Sequence, residues 1–544
     1  MECLKTGVME RKVRSINKFF KRLLVITAIF SLMFLGAGCG EQEKSQGEGS
    51  TETDIYTVAD ATGDWGYPSP YAHYSRGPGY VRMSFIFDTL VWKDDQGYVP
   101  ALAESWDYLE DENAYIFKLR TDASWHDGEK FTPQDVEFTF NYIKEHPYQW
   151  VDSGIVEKVE VIDDSTVKVF LSKPYAPFMD NVACTLPVLP EHIWKDVQDP
   201  EQFQDEKAVI GTGPFKLVDY NKAQGTYLYE AFENYYLGEP KIKQLKFVKV
   251  SEEMAAGALK QKQVDAASIP PELAEDIKNE GFNILECPSD WNAKLMINHQ
   301  KPPFNDKRFR QALAYAIDRE QIVSTCLRGH GLAGSPGFLP PDSPWYNRDI
   351  EQYAHDPAKA GELLESLGYT KKDGFYQKDG KVLEIELLFP GSSTTPGERE
   401  AEMIKQQLTA VGIKVNLRSL EAKTLDNLVN EWKFDLALSG HGGIGGDPDF
   451  LSRSIIGQGF NSARYTENES LVSLLKEQQQ EINDEKRKEI IAEIQKLYAE
   501  EVPALTIYYP TWYWACNDKT DLFYTRMGIA IGVPIPLNKL AFIK

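Results

Sequence analysis

Residues 382–438 alternate in a way that few folds accommodate. The run 382–389 reads as a strand and 398–410 as a helix. Strand 413–418, a helix near 424–431 and strand 434–438 follow. Such repeats lay strands side by side and parallel, with helices on both faces. A β-rich half precedes this region. It holds a strand at 54–60, strand-like 115–120 and 157–171, strands 215–220 and 226–231, and another at 246–250. A helix over 468–499 leads back to a last apolar strand, 504–509. With 544 residues the chain is too long for one simple core. If the last strand rejoins the first half, the chain crosses twice between two lobes and forms a hinge with a cleft.

Helix starts are legible. Thr132 caps, Pro133 fits the first turn and Asp135 favours the positive end, with Val136, Phe140 and Ile143 as the buried stripe. Asp306 opens a helix with Phe309, Ala312, Leu313, Ala316 and Ile317 on one face. Asp356-Pro357 opens another, with Leu363, Leu364 and Leu367 inside and Gly368 as its stop. Val81–Leu90 reads as a helix with Met83, Phe87 and Leu90 on one side.

The N-terminus is a separate object. Lys5, Arg11, Lys12, Arg14, Lys18, Lys21 and Arg22 precede an apolar run from Leu23 to Leu35, then Gly36-Ala37-Gly38-Cys39. That is the pattern of a secretory signal, too short to span a bilayer as a helix. Small residues ending in Cys39 read as a lipobox, which makes Cys39 a diacylated first residue of the mature chain. The large apolar residue stands one place further back than usual, at Leu35, with Gly36 in its place. Met9 serves equally as a start. Gly40–Thr53 holds no aromatic or branched aliphatic residue and reads as a flexible tether.

The formal charge is -23. The first 38 residues carry seven Lys/Arg and two acids, which leaves the remainder at -28. So acidic a body argues against nucleic acid as partner. Cys184, Cys287, Cys326 and Cys516 are widely spaced with no C-x-x-C, so a zinc cluster is not expected. A disulfide is compatible with an oxidising compartment, but its pairing is not given. No P-loop, H-E-x-x-H or G-x-S-x-G occurs. Gly440-x-Gly442-x-x-Gly445 matches a dinucleotide fingerprint. Yet no clear helix begins inside it and Pro448 follows, so nucleotide binding is not expected.

Four segments carry a resemblance. Ala101–Trp106 continues through Phe117–Arg120, Trp125–Gly128 and Asp135–Phe138. Gly211–Phe215 is followed by Asn234–Gly238 and Pro240. Pro303–Asp306 leads to Arg310–Arg319, Gly331 and Pro340-Pro341. Tyr353–Tyr369 precedes Leu408–Val415. In order and spacing these resemble the family 5 extracellular solute-binding proteins of ABC importers, which bind peptides, nickel chelates and some oligosaccharides. The resemblance implies an α/β, bilobal periplasmic-binding-protein-like fold of cluster C type, with two mixed α/β lobes, an inserted subdomain and a hinge. Residues 1–38 are then a lipoprotein signal peptide and 39–53 a tether. Lobe I takes 54–95, 206–285 and 505–544, with its inserted subdomain at 96–205. Lobe II takes 286–504. The best-matched motifs are structural turns, caps and bends.

Peptide-binding members hold the ligand ammonium with an Asp in a glycine-rich loop, which here is residues 439–450. Counting back from Asp447-Pro448-Asp449-Phe450, that Asp falls on Ile444 and a pocket Trp on His441. The loop 389–396 has no Arg for a peptide carboxylate. Asp447 or Asp449 supplies the missing anion, or else caps and turns the chain. His441 is a candidate donor to a carboxylate or ligand to a chelated metal. Tyr74, Ser75 and Arg76 lie where the family's first loop enters the cleft, and Arg76 pairs with a ligand carboxylate or with the other lobe. Trp291, Tyr509, Trp512 and Trp514 are stacking candidates. The expectation is a monomeric, non-enzymatic binding protein without cofactor or bound metal. It sits outside the cytoplasm, anchored to the membrane through Cys39, and delivers a short peptide to ABC transporter permease subunits. A nickel chelate or oligosaccharide is the alternative guest. A secreted hydrolase is the competing class, since 82 acids bring carboxylates together by chance.

Overall fold

The computed structural model describes residues 55–288, 291–391 and 397–543. Cys39, the leader and the tether lie outside them. One large sheet holds twelve strands. In chain order these are β1 (Ile55–Asp60), β2 (Phe215–Asn221), β3 (Thr226–Ala231), β4 (Gln244–Lys249), β5 (Ala266–Ile269) and β6 (Asn283–Pro288). Then come β7 (Trp291–Ile297), β8 (Gly331–Ala333), β9 (Glu384–Pro390), β10 (Lys414–Leu420), β11 (Leu436–Gly442) and β12 (Ala504–Cys516). Their spatial order is β10-β9-β11-β7-β12-β5-β1-β4-β3-β2, with β6 and β8 also on β12. β9 is parallel to β10 and β11, as the alternation in 382–438 requires. β7 runs antiparallel to both β11 and β12.

β12 is the strand that joins the two halves. Its residues from Ala504 to Tyr508 pair with β7, and those from Thr511 to Cys516 pair with β6. The sequence places a strand only at 504–509. The extension to Cys516 exists because β5 and β6 offer free edges to residues whose side chains carry no strand alternation of their own.

Apolar residues sort onto the two faces of the sheet with period two. Ala293, Leu295 and Ile297 of β7 face one core with Leu387, Leu438 and Leu505. Met296 faces another, with Phe338, Leu388, Ala437 and Tyr498. Around β1 and β4 a third core gathers Tyr56, Val58, Leu245 and Phe247. A separate four-stranded sheet from Ala103 to Leu171 packs on helix Pro133–Glu145. Asp135 takes both the Thr132 amide (2.8 Å) and its hydroxyl (3.0 Å), and Val136, Phe140 and Ile143 are buried, as their spacing predicts.

Two helices differ from the sequence reading. The helix placed at 81–90 is Gly77–Ser84. It stops early because the carbonyls of Phe85 and Ile86 are claimed by the amides of Phe215 (3.0 Å) and Gly213 (2.7 Å). Only glycine fits there: a Cβ on Gly213 would lie 2.6 Å from the Phe85 oxygen. The helix placed at 468–499 is two helices, Glu469–Glu477 and Asp484–Glu501. The buried Gln478 is pulled out of line by bonds to Ser452 (3.0 Å) and Arg487 (2.9 Å), and Asn483 caps the second piece. Among the described residues, Cys184, Cys326 and Cys516 form no disulfide.

Candidate functional site

A cavity of about 300 Å³ opens at the carboxyl ends of β1 and β5, beside β12. In sheets with parallel strands, that end is where ligands bind. Its walls are mainly aromatic and apolar: Trp65, Trp512, Trp514, Val81, Val533 and Pro536. Trp512 is 39% exposed, a large ring held open to solvent. At the base Arg82 pairs with Asp60 and lies over the Phe247 ring at 3.7 Å. Burial alone would raise the Asp60 carboxyl. Arg82 and the amides of Gly63 and Thr62 outweigh it and hold the group below its usual range.

The other half of the sheet carries a polar strip on β7 and β11. Asn292 of β7 stands opposite His441 of β11, and Lys294 stands between Ser439 and Thr506. Directly paired residues share a sheet face, so these side chains lie together on the face that carries Met296. His441 is half-buried; its Nε2 meets Ser454 Oγ at 3.2 Å and its ring packs on Phe450 at 4.9 Å. Burial first, then the charges of Lys294 and Arg453, drive its pKa well below the usual value, so the ring is neutral at pH 7. Lys294 donates to the Asn461 carbonyl, and burial pushes its ammonium down to about 7.

The remaining candidates are scattered. Tyr74, Ser75 and Arg76 are exposed on one rim; the Tyr74 hydroxyl donates to Asp64 at 2.9 Å. Arg76 faces Asp426 of helix Ala422–Asn430, whose carboxyl burial raises and Arg76 partly restores. Asp447 is held by both terminal guanidinium nitrogens of Arg487, at 2.7 and 2.5 Å. Asp449 is buried and accepts from Asn181 (3.1 Å), Gln478 (3.2 Å) and Gln479 (2.7 Å). Both carboxylates are therefore engaged within the protein, and neither faces the aromatic cavity. Tyr509 is fully buried, its hydroxyl donating to the Phe338 carbonyl at 2.7 Å. Ile444 sits in the apolar core with Phe450.

The glycines of 440–446 serve close packing. A Cβ on Gly445 would lie 2.3 Å from the Arg526 oxygen, and one on Gly446 2.7 Å from Gly532. The loop thus presses backbone on backbone against 526–532 and offers no phosphate cradle. A Cβ on Gly440 would lie 1.9 Å from the Trp291 ring. Gly440→Ala should therefore displace Trp291, shift its fluorescence and lower stability by about 1–3 kcal/mol. Unchanged emission and an unchanged denaturation midpoint would refute that contact.

The sequence reading missed Asn292, Lys294, Trp65 and Arg487. Lys294 did leave a signal: one charged residue inside the otherwise apolar run Ala293–Ile297. Among the described residues no cluster of three or more His, Cys, Asp or Glu is placed to hold a metal. Among them also, no helix is long and apolar enough to cross a membrane.

Comparison with known proteins places this architecture. The chain is 28% identical over 446 residues to the dipeptide-binding protein of Escherichia coli (strain K12), covering 76% of this chain and 81% of that one. NikZ from Campylobacter jejuni, solved in complex with Ni(L-His), superposes with a TM-score of 0.74 at 28% identity, over 88% of this chain and 97% of that one. NikA from Brucella suis, in complex with Fe(III)-EDTA, shares the fold with a TM-score of 0.77 at 22% identity, over 89% and 99%. The shared fold is bilobal and mixed α/β. The family described as bacterial extracellular solute-binding proteins, family 5 Middle, matches residues 97–462, about two thirds of the chain. The chain therefore belongs to the family 5 bacterial extracellular solute-binding proteins.

Proposed function

We propose that this chain captures a short peptide between its lobes and delivers it to the permease of an ABC importer, as a monomer tethered outside the cell by a lipidated Cys39. The observation that carries this reading is the aromatic cavity of about 300 Å³ at the carboxyl ends of β1 and β5, with the polar strip of β7 and β11 in the other half of the same sheet. Rings on one side and polar groups on the other match a peptide, whose side chains are apolar or polar and whose ends are charged. Support also comes from the E. coli relative, a dipeptide-binding protein at 28% identity. Lobe I in this reading takes 54–95, 206–285 and 505–544, with 96–205 inserted; lobe II takes 286–504. Trp512 stacks on the guest from the first lobe, while His441 meets it from the second; the Trp291 ring lies over Gly440 on the other face of β7 and packs with the Ala293–Ile297 core. Tyr74, Ser75 and Arg76 form the rim.

Asp447, Asp449 and Tyr509 act on the protein rather than the guest. Asp449 accepts from Asn181 (3.1 Å), and the Ala176 amide donates to the Gln479 carbonyl (2.8 Å). Those two bonds tie the inserted region to the second lobe and serve as a clasp for the closed form. Ligand then stabilises closure by binding the closed state better than the open one.

A nickel chelate is the second reading. His441 is neutral and its Nδ1 has no hydrogen-bond partner among the described residues, so in the tautomer with its proton on Nε2 a lone pair is offered to a metal that brings its own chelator. NikZ at 28% identity was solved with Ni(L-His). Native mass spectrometry of the purified protein separates the readings. A retained mass that fragments as a peptide is expected. A nickel isotope pattern supports the second reading, and a sugar overturns both. Small-angle scattering should show compaction when the guest is added to stripped protein; an unchanged radius of gyration refutes closure.

A further inference from the structure

Among the described residues three lysines are buried: Lys93, Lys294 and Lys539. Lys93 meets Asp180 and Lys539 meets Asp88. Lys294 meets no carboxylate among the described residues; its one acceptor there is the Asn461 main-chain oxygen. Two of its three protons are left without an acceptor. Around it the deficit continues. Asn292 is wholly buried, yet neither its amide nitrogen nor its oxygen has a partner among those residues. His441 Nδ1 and Asn461 Oδ1 are buried and unpartnered there as well. Polar atoms so enclosed are ordinarily bonded. Water satisfies an amide, but it does not neutralise a buried ammonium. The second cation bearing on His441, Arg453, deepens the imbalance.

We infer that Lys294, Asn292 and His441 form an anion subsite in the second lobe, and that it receives a carboxylate of the guest. This rests on the solute-binding reading above. Asn292 is the second residue of β7, and His441 is the last but one of β11. The subsite therefore lies at the end of the sheet next to the glycine-rich loop. An ammonium, an amide N–H and an imidazole N–H give three donors from three side chains, enough for the two oxygens of one carboxylate. One lysine balances one negative charge. A phosphate dianion would leave a surplus charge buried. The unpartnered Asn292 and Asn461 oxygens accept from an N–H beside that carboxylate, as in a peptide terminus. The guest class is thus a molecule with a free carboxylate next to a hydrogen-bond donor.

Two probes test this on the full-length protein stripped of guest. Acetate needs no knowledge of the guest. Rising acetate, against chloride at equal ionic strength, should raise the melting temperature of wild type and leave Lys294→Met unmoved. Equal responses in the two proteins overturn the subsite. In the second arm, calorimetry compares peptides with free and amidated C-termini. Amidation should weaken binding to wild type by about 30-fold or more. The same peptides should bind Lys294→Met weakly and without distinction. A peptide whose amide binds wild type equally well overturns the inference. If no peptide binds wild type while acetate still separates the two proteins, the peptide reading falls and the subsite stands. Should Lys294→Met misfold, acetate protection of wild type against proteolysis, set against chloride, decides in its place; no protection overturns the subsite.

Discussion

Lys294→Met is expected to stabilise the guest-free protein at pH 6 by on the order of 5 kcal/mol, since each tenfold change in proton affinity is worth roughly 1.4 kcal/mol. Burial lowers the Lys294 pKa from 10.5 to about 7 in the folded chain. Below pH 7 the lysine is charged both folded and unfolded, so the fold bears the whole desolvation penalty. As pH rises from about 7 towards 10.5, the folded chain loses this proton while the unfolded chain keeps it. Wild-type stability therefore rises across that window, by up to roughly 1.4 kcal/mol per pH unit from this group. The methionine variant lacks that gain, so its advantage shrinks with pH. Methionine has nearly the lysine stem's shape and leaves no charge behind. Urea denaturation at pH 6 and at pH 9.5 measures both quantities. Superimposable stabilities at pH 6 would mean that Lys294 is hydrated or paired, and the uncompensated charge would be disproved. An anionic guest should mask the difference, since it supplies the missing charge.

Arg487→Met should act in the opposite direction, with a loss of about 3–5 kcal/mol. The Arg487 and Asp447 side chains are only 4% and 9% exposed. Arg487 closes two bonds to Asp447 and also donates to the Gln478 carbonyl at 2.9 Å. Removing the guanidinium leaves a buried carboxylate without compensation. It also frees Gln478, whose side chain supports Asp449 and the break between two helices. Adding Asp447→Leu to Arg487→Met removes the stranded charge and should recover a measurable share of the loss, because paired partners are not additive. Guanidinium chloride denaturation of the single and double variants reads this directly. A single variant within about 0.5 kcal/mol of wild type, the size of an ordinary surface change, would refute the role given to the pair.

Much of the architecture was legible in the amino-acid order, and the elements show why. The strands and helices of 382–438 lie within a few residues of their sequence bounds, because their apolar period is set locally. The helix from Pro133 and the helix from Lys307 begin where Thr132 and Asp306 cap them. Caps act over three residues and leave their mark in the sequence. Family membership was likewise carried by turns, caps and bends spread along the chain, which the match over residues 97–462 bears out.

What escaped sequence reading depended on distant partners. Helix Gly77–Ser84 ends where Gly213 and Phe215, more than a hundred residues away, take its next carbonyls. Asp447 has the chemistry to hold a ligand ammonium, but Arg487 lies across it; Tyr509 has a ring fit for stacking, but it is buried and its hydroxyl is bonded to the Phe338 carbonyl. Local pattern states a residue's chemistry and its face. Whether a charge is answered or a ring is open is set by side chains brought from elsewhere in the chain. Lys294 is the sharpest case: its place in an apolar strand could be read from sequence, but only the packed structure shows that, among the described residues, no acid comes to meet it.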